Sequence, residues 1–182
     1  SPEDIKTLPI LTKDIIRDNF KDLINTKYKG DLIEFKTSGS TGKKFNFMGN
    51  DNLFKREAAF VLRAFNMHNS TMYNKPTVWI RRYAPTKNQP LYYKDHELNR
   101  TYISPFDLSN KTIEKYVKII DDTKSETIVT YPSLANFMAT LMAEKSLRFK
   151  FIKDIHCASE MVQESWRDNI ENSLGIKLYA HY

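Results

Sequence analysis

Apolar residues in the second half of the chain recur at the spacings of helices and strands, which predicts a regular alternation of the two. Ile113, Tyr116, Val117 and Ile120 share one face of a predicted helix that begins after Asn110. The segments that follow it are a strand over 127–130, a helix opened by 131–133, a strand over 155–158, a helix ending at Gly175 and a strand over 176–180. Parallel neighbouring strands need such helical crossovers. We therefore expect an α/β fold, with a parallel or mixed sheet and helices on both faces.

The first half of the chain has a weaker pattern. Thr12 is placed to cap a helix whose apolar stripe runs from Ile15 to Ile24 and is expected to be buried. Two short strands, over 32–37 and around Phe45 and Phe47, flank a polar loop, and a helix starts at Asn50. A strand is predicted over 77–82, whereas 84–105 is the least regular stretch.

Composition narrows the class of protein. The 182 residues are 41% hydrophobic and 13% aromatic, which is typical of a folded domain. A single cysteine, Cys157, excludes a disulfide framework and a cysteine-rich zinc site, and we expect a cytoplasmic protein. No apolar run approaches the roughly 18 residues of a membrane span, and the first residues lack the order of a signal peptide. We read His156 and Cys157 as core residues of a strand, not as a nucleophile pair.

The segment between the two short strands is the most informative one. Its glycines allow backbone N–H groups to point into one concavity, and its hydroxyls and lysine add donors for an anion of several phosphates. Its spacing differs from that of a Walker A loop, since two residues instead of four separate the glycines. A solvated turn between strands has the same composition. The residues are Thr37, Ser38, Gly39, Ser40, Thr41, Gly42 and Lys43.

Three predicted strands end in residues that suit a ligand. Ala158, Ser159 and Glu160 follow one strand, Tyr131 and Ser133 another, and the last strand leads to Tyr182. The carboxyl ends of parallel strands meet at one edge of a sheet, where ligands bind. A carboxylate at a helix start and an interface tyrosine are the structural alternatives.

In order along the chain, four segments resemble the adenylate-forming (AMP-binding) enzyme superfamily, and within it the phenylacetate-CoA ligase and CapK-like capsule-biosynthesis branch: LPILTK, TSGSTGKK, TYPSLANFMATLMAE and IHCASEMVQESWRDNIENSLGIKLYAHY. Members of the superfamily make an acyl-adenylate from a carboxylic acid and ATP, releasing pyrophosphate, and many then pass the acyl group to a thiol such as CoA. The resemblance implies a ligase with ATP, Mg²⁺, a carboxylic acid and a thiol acceptor as its cofactors and partners.

The resemblance also implies roles for individual residues. Residues 37–43 close on the β- and γ-phosphates of ATP. Ala158, Ser159 and Glu160 line the adenine pocket, and Tyr182 stacks on the adenine. Tyr131 and Ser133 lie toward the acyl pocket.

The chain departs from the family pattern at several positions. Lys44 and Phe45 stand where Pro-Lys is frequent, and Ser159 precedes Glu160 where the family usually has glycine. Tyr182 is the first residue of the family's Tyr-Gly-x-Thr-Glu motif, so the magnesium ligand and the carboxyl-terminal domain are expected beyond the chain end. We therefore interpret residues 1–182 as part of an amino-terminal AMP-binding domain and expect this polypeptide alone not to form acyl-adenylates.

Two other functions use the same residues differently. A remnant of the fold would bind nucleotide without chemistry. Alternatively, the chain's net charge of +6 and the six Lys or Arg within 75–100, interleaved with Trp79, Tyr83, Tyr92 and Tyr93, suit a single-stranded nucleic acid. More often such a stretch is a solvated strand and loop, and in the context of the family it could equally attract ATP or the diphosphate of CoA. We expect neither a nucleic-acid nor a membrane partner.

Overall fold

A six-stranded sheet dominates the computed structural model, which describes residues 2–36, 46–68 and 75–181. In this part of the chain the strands are β1 (Ile33–Lys36), β2 (Asn46–Gly49), β3 (Thr77–Ile80), β4 (Tyr92–Asp95), β5 (Arg100–Ile103), β6 (Thr127–Thr130), β7 (Asp154–Cys157) and β8 (Lys177–Ala180). The helices are α1 (Lys13–Asp18), α2 (Asp51–Met67), α3 (Ile113–Asp122), α4 (Pro132–Glu144) and α5 (Glu164–Leu174), with a 3₁₀ helix at Pro2–Thr7. The chain divides into two units, Ser1–Phe60 and Val61–Tyr182, with the boundary inside α2.

The second unit contains the sheet, whose strands lie in the order β4-β5-β3-β6-β7-β8. The five strands β5, β3, β6, β7 and β8 run parallel to one another. The edge strand β4 pairs antiparallel with β5. The predicted α/β fold with a mixed sheet is confirmed. Its prediction rested on short apolar runs alternating with helical stripes, which only a crossover topology can bury.

Helices cover both faces of this sheet. Val78, Ile128, Ile155 and Leu178 point to one face and form a single core with α3, α4 and α5. The next residue of each strand points to the opposite face, because side chains alternate along a strand. There Phe65 of α2 packs on Val129 and stacks on the His156 ring with 3.8 Å between centroids.

Charged side chains join the strands at the amino edge of the sheet. Both lysines that precede β3 and β7 contact Glu126, which precedes β6: Lys75 Nζ and Lys153 Nζ each lie 2.6 Å from a Glu126 oxygen. Hydrogen bonds from Lys153 and Lys75 lower the pKa of the Glu126 carboxyl below its usual value. The positive charges at this edge are thus compensated within the chain.

The first unit contains a two-stranded hairpin and α1. β1 and β2 pair antiparallel, and the Phe35 ring lies 5.3 Å from that of Phe47 and 4.9 Å from that of Phe54. Gly49 sits directly against Phe35, since a Cβ on Gly49 would lie 2.6 Å from the Phe35 ring. Two short strands flanking residues 37–45 were predicted, and β1 and β2 confirm them.

The predicted first helix differs from the observed one. Thr12 does cap α1, accepting from the Ile15 N–H at 3.3 Å, but α1 ends at Asp18. Asn19 caps its end: the Asn19 backbone N–H, at 3.0 Å, and the Asn19 side-chain amide, at 2.8 Å, both donate to the Ile15 carbonyl. The apolar stripe to Ile24 is not buried as expected: Leu23 is 52% exposed.

The stretch over 84–105 contains two strands that the sequence pattern did not predict. β4 and β5 form an antiparallel pair joined through Asn99, which has a φ of +50°. Asp95 accepts from the Leu98 N–H at 3.0 Å and stabilises this turn. Their residues are mostly polar because β4 is an edge strand, so the alternation that marks a buried strand is weak.

The buried hydroxyl of Tyr116 provides a test of this packing. Tyr116 Oη donates to the Ser104 carbonyl at 2.6 Å and joins α3 to the end of β5. Burial raises the pKa of Tyr116 to about 12. We expect Tyr116→Phe to lower the free energy of unfolding by about 1 kcal/mol, because a buried carbonyl loses its donor.

Urea unfolding followed by circular dichroism measures this change. Tyr92→Phe removes the same hydroxyl from an exposed tyrosine and is expected to alter the free energy of unfolding by less than about 0.5 kcal/mol. Equal effects of the two substitutions would contradict the contribution assigned to the Tyr116 hydrogen bond.

Candidate functional site

Four parallel strands end side by side at the carboxyl edge of the sheet. Ile80, Thr130, Cys157 and Ala180 occupy the same register position. Hydrogen bonds hold these ends together, since Thr130 Oγ1 donates to the Ile80 carbonyl at 2.9 Å and His181 N donates to the Cys157 carbonyl at 3.1 Å. The residues that follow each strand therefore emerge next to one another.

Glu160 and Ser133 meet across this edge. The Glu160 carboxylate accepts from the Ser133 N–H at 3.1 Å. Ser133 lies in the first turn of α4, where backbone N–H groups have no partner within the helix and a negative charge is stabilised. A residue predicted to line the adenine pocket thus contacts one predicted to lie toward the acyl pocket.

Arg81 joins the remaining residues of the cluster. Its Nη2 donates to Ser159 Oγ at 3.2 Å, and its guanidinium carbon lies 4.9 Å from the centre of the Tyr131 ring. Among the described residues no carboxylate forms a salt bridge with Arg81, so its charge is compensated only by a hydroxyl and a ring face. We define the strand-end cluster as Arg81, Tyr131, Ser133, Ser159 and Glu160.

Arg81 was not predicted as a site residue. In the sequence, Arg81 belongs to the basic stretch over 75–100, and the predicted strand over 77–82 includes it. The structure ends β3 at Ile80, which places Arg81 directly after the strand. The usable signal was its position at the end of an apolar run, the same signal that identified Tyr131 and Ala158.

The backbone turns sharply at two positions of this edge. Ser159 has a φ of +71° and Arg82 a φ of +60°, both in the left-handed region that residues other than glycine rarely adopt. The geometry explains why glycine suits the position before Glu160. In this chain a side chain is retained there, and its hydroxyl is the partner of Arg81.

Cys157 and His156 are core residues, as predicted. Both side chains are at most 1% exposed. Burial raises the pKa of the Cys157 thiol to about 12, and the negative charge of Glu160 adds to the shift. A neutral, buried thiol is a poor nucleophile. His68, for which the sequence suggested no partner, stacks on Tyr179 with 3.8 Å between ring centres.

Two of the predicted ligand-binding elements lie outside the described residues. They are the polar segment over 37–43 and Tyr182. Their contacts with ATP, and those of Ala158, Ser159, Glu160, Tyr131 and Ser133 with any ligand, stay predictions. The structure does bring Tyr131, Ser133, Ser159 and Glu160 into one cluster.

Most of the aromatic residues of 75–100 lie in one row: Tyr83, Tyr93 and Trp79 are joined through Tyr102, with neighbouring ring centres 4.9 to 6.0 Å apart. Lys75 is engaged by Glu126, and the Arg100 guanidinium packs 4.3 Å from the Trp79 ring. Tyr93 stacks on Tyr102, and Tyr92 points to the other face of β4 because neighbouring residues alternate. Lys75 is thus paired within the chain, and Tyr92 lies apart from the row of rings.

An apolar cavity of about 620 Å³ lies in the first unit, between α1, β2 and the start of α2. None of its described lining residues belongs to the strand-end cluster. Across the described part of the chain, the helices are too short or too polar to cross a bilayer.

The buried thiol gives a direct test of the site geometry. We expect Cys157 not to react with 5,5′-dithiobis(2-nitrobenzoate) at pH 8 in the folded protein. Raising the pKa from an ordinary 9.0 to about 12 lowers the thiolate fraction roughly 1,000-fold, and burial excludes the reagent. One thiol per chain should appear once urea unfolds the protein. Rapid labelling without urea would contradict the burial.

Ser159 allows the backbone strain to be separated from the hydroxyl contact. Ser159→Gly removes both the strain and the hydroxyl, whereas Ser159→Ala removes only the hydroxyl. Left-handed backbone costs an ordinary residue about 1–2 kcal/mol, and glycine loses about 0.5–1 kcal/mol of entropy. We expect the glycine variant to unfold with a free energy about 1 kcal/mol higher than the alanine variant. An alanine variant of equal or greater stability would contradict the left-handed geometry at Ser159.

Solved structures with the same fold include a CoA ligase in complex with an acyl-AMP. An open conformation of 2-hydroxyisobutyryl-CoA ligase, in complex with 2-HIB-AMP and CoA, matches 94% of this chain with a TM-score of 0.58 and 15% sequence identity. The same ligase in its thioesterification state has a TM-score of 0.55 with 16% identity, and VinN matches 98% of the chain with a TM-score of 0.53 and 11% identity. No protein-family model and no curated protein matches the chain.

The likeness covers only part of those proteins. The chain spans 42% of the open 2-hydroxyisobutyryl-CoA ligase and 44% of VinN. At these identities the comparison shows a shared fold alone, that of the matching part of these two proteins.

Proposed function

We propose that this chain is part of an ATP-dependent ligase that activates a carboxylic acid as its acyl-adenylate. The observation that carries the proposal is the contact between Glu160 and Ser133, which joins the predicted adenine side and the predicted acyl side at one sheet edge. The shared fold with 2-hydroxyisobutyryl-CoA ligase and the hydroxyl-rich segment over 37–43 support it.

The reaction would form one bond and break one. A carboxylate oxygen attacks the α-phosphorus of ATP, and the bond from that phosphorus to the pyrophosphate oxygen breaks, with its electron pair leaving on pyrophosphate. Little covalent chemistry is required of the protein, so its contribution is positioning and charge neutralisation. In the proposal, residues 37–43 hold the departing phosphates, while Ala158, Ser159, Glu160 and Tyr182 hold the adenine.

The described residues of this chain include no set of ligands for magnesium. Within 2–36, 46–68 and 75–181, no group of three or more His, Cys, Asp or Glu residues is arranged to hold a metal ion. In the proposal the ion shares the charge of the phosphates when bound. We derive no step of the chain's own chemistry from it.

The later steps are proposed for an enzyme that includes this chain. Transfer of the acyl group to a thiol such as CoA is supported by the fold shared with a ligase solved in complex with CoA. The phenylacetate-CoA ligase and CapK-like resemblance suggests a place in capsular polysaccharide biosynthesis, in the cytoplasm. A remnant that binds nucleotide without chemistry differs by releasing no pyrophosphate with any acid.

Comparing ATP with AMP tests the assignment of the polar segment. If residues 37–43 bind the β- and γ-phosphates, Lys43→Ala should weaken ATP binding about tenfold and leave AMP binding unchanged, because AMP lacks those phosphates. Calorimetric titration of the 182-residue chain measures both affinities.

Lys118→Ala is the matched control for this titration. Lys118 is an exposed lysine of α3 that pairs with Asp122, and its removal should change neither affinity. Equal loss of ATP and AMP binding in the Lys43 variant would overturn the assignment of the segment. Absence of nucleotide binding by the unaltered chain would overturn the proposed function itself.

A further inference from the structure

We propose that Arg81 selects an acid substrate that carries a second carboxylate, so that the ligase activates a dicarboxylic acid. The inference rests on the proposed function, since it concerns the acid that would bind at the strand-end cluster. It starts from Arg81, which forms no salt bridge with any carboxylate in the described part of the chain.

Among the described residues, several cations beside the sheet pair with carboxylates, whereas Arg81 has no salt bridge. Lys75 and Lys153 are paired with Glu126 at the amino edge, and Arg167 is paired with Glu171 beside β8. Arg81 has Ser159 Oγ and the Tyr131 ring as its contacts, both of them neutral. Glu160, the carboxylate of the cluster, accepts from the Ser133 N–H instead.

The guanidinium is held in place for a ligand. A side chain stacked on a ring and bonded to a hydroxyl has lost much of its rotational freedom before any ligand arrives, which reduces the cost of binding. Of the five N–H donors of an arginine, one contacts Ser159 Oγ. The others remain for an acceptor with the planar geometry of a carboxylate, which a guanidinium binds through two parallel hydrogen bonds.

The charge of Arg81 restricts which acids can bind at this edge. An acid lying against Tyr131 and Ser133 removes water from Arg81. An apolar acid would leave a desolvated charge without compensation, which is strongly unfavourable, whereas an anionic group on the acid would provide the compensation. The position of Arg81 against Tyr131 therefore disfavours simple fatty or aromatic acids.

The carboxylate held by Arg81 is not the one that reacts. The reacting carboxylate loses its negative charge when it becomes a mixed anhydride with phosphate. A guanidinium bound to it would stabilise the ground state more than the transition state and slow the reaction. A second carboxylate keeps its charge throughout, so pairing it with Arg81 contributes binding without raising the barrier. Arg81 is thus a residue that determines specificity and positions the acid.

Pairs of acids that differ by one carboxylate provide the test. Hexanoate with adipate, and benzoate with terephthalate, are titrated calorimetrically into the unaltered chain, Arg81→Met, Arg81→Lys and Arg82→Met, with and without AMP. The neighbouring Arg82 is exposed and serves as the matched control. AMP affinity is measured separately for each variant.

We expect at least one diacid to bind the unaltered chain about tenfold more tightly than its monoacid partner, the effect of one charge-assisted pair. Arg81→Met should abolish this preference, Arg81→Lys should retain part of it, and Arg82→Met should preserve it in full. AMP affinity in Arg82→Met should equal that of the unaltered chain. In the Arg81 variants it shows separately how far the loss of the Ser159 contact reaches the predicted adenine side.

Several outcomes would overturn the inference. In the unaltered chain, these are the absence of a preference for either diacid over its monoacid partner, or a failure of both diacids to bind. In Arg81→Met, they are a preference that survives, or an equal loss of monoacid and diacid binding. Absence of AMP binding in every protein contradicts the proposed function instead. A chain that binds AMP but shows no diacid preference would keep the proposed function and lose only the role of Arg81.

Discussion

The parallel alignment of β3, β6, β7 and β8 is the constraint from which the rest of the second unit follows. Parallel strands must be joined by crossovers, and here α4 and α5 return the chain to the same end of the sheet each time. α3, α4 and α5 cover one face and α2 packs on the opposite one, so β3, β6 and β7 consist largely of buried residues. The side chains of the candidate site belong to the connections that emerge together at the carboxyl edge, and none of them is conspicuous in the sequence.

Charged side chains form salt bridges at the amino edge of the sheet, whereas those of the strand-end cluster contact neutral groups at the carboxyl edge. At the amino edge Glu126 binds Lys75 and Lys153, an arrangement that aligns three strands and leaves no cation uncompensated among them. At the carboxyl edge Arg81 and Glu160 are of opposite sign, yet each contacts neutral groups instead of the other. An edge that served only stability would gain from joining them. Their separation, together with left-handed backbone at Ser159, is typical of a surface shaped for a ligand.

The sequence predicted the second unit far better than the first. From α3 to β8 the apolar residues are buried and their period is clear, so each strand and helix was placed within about two residues. The edge strand β4 and its neighbour β5 are rich in polar residues and lack a clear apolar period. The end of α1 at Asp18 is marked by capping from Asn19, which no hydrophobic pattern records. Among the site residues, Tyr131, Ser133, Ser159 and Glu160 were identified because they follow buried strands. Arg81 follows one too, but it was grouped with the neighbouring cations, since sequence alone does not tell which cations are paired.

The burial of Cys157 also makes the chain convenient for spectroscopy. Cys157 is the single cysteine of the sequence, and it is buried. A cysteine introduced at an exposed position of the carboxyl edge would therefore react with a maleimide fluorophore or a nitroxide spin label while Cys157 would not. Probes could therefore be attached a few residues from the strand ends without first replacing the native cysteine. Distances between such a probe and a labelled nucleotide would report directly on how ligands approach the sheet.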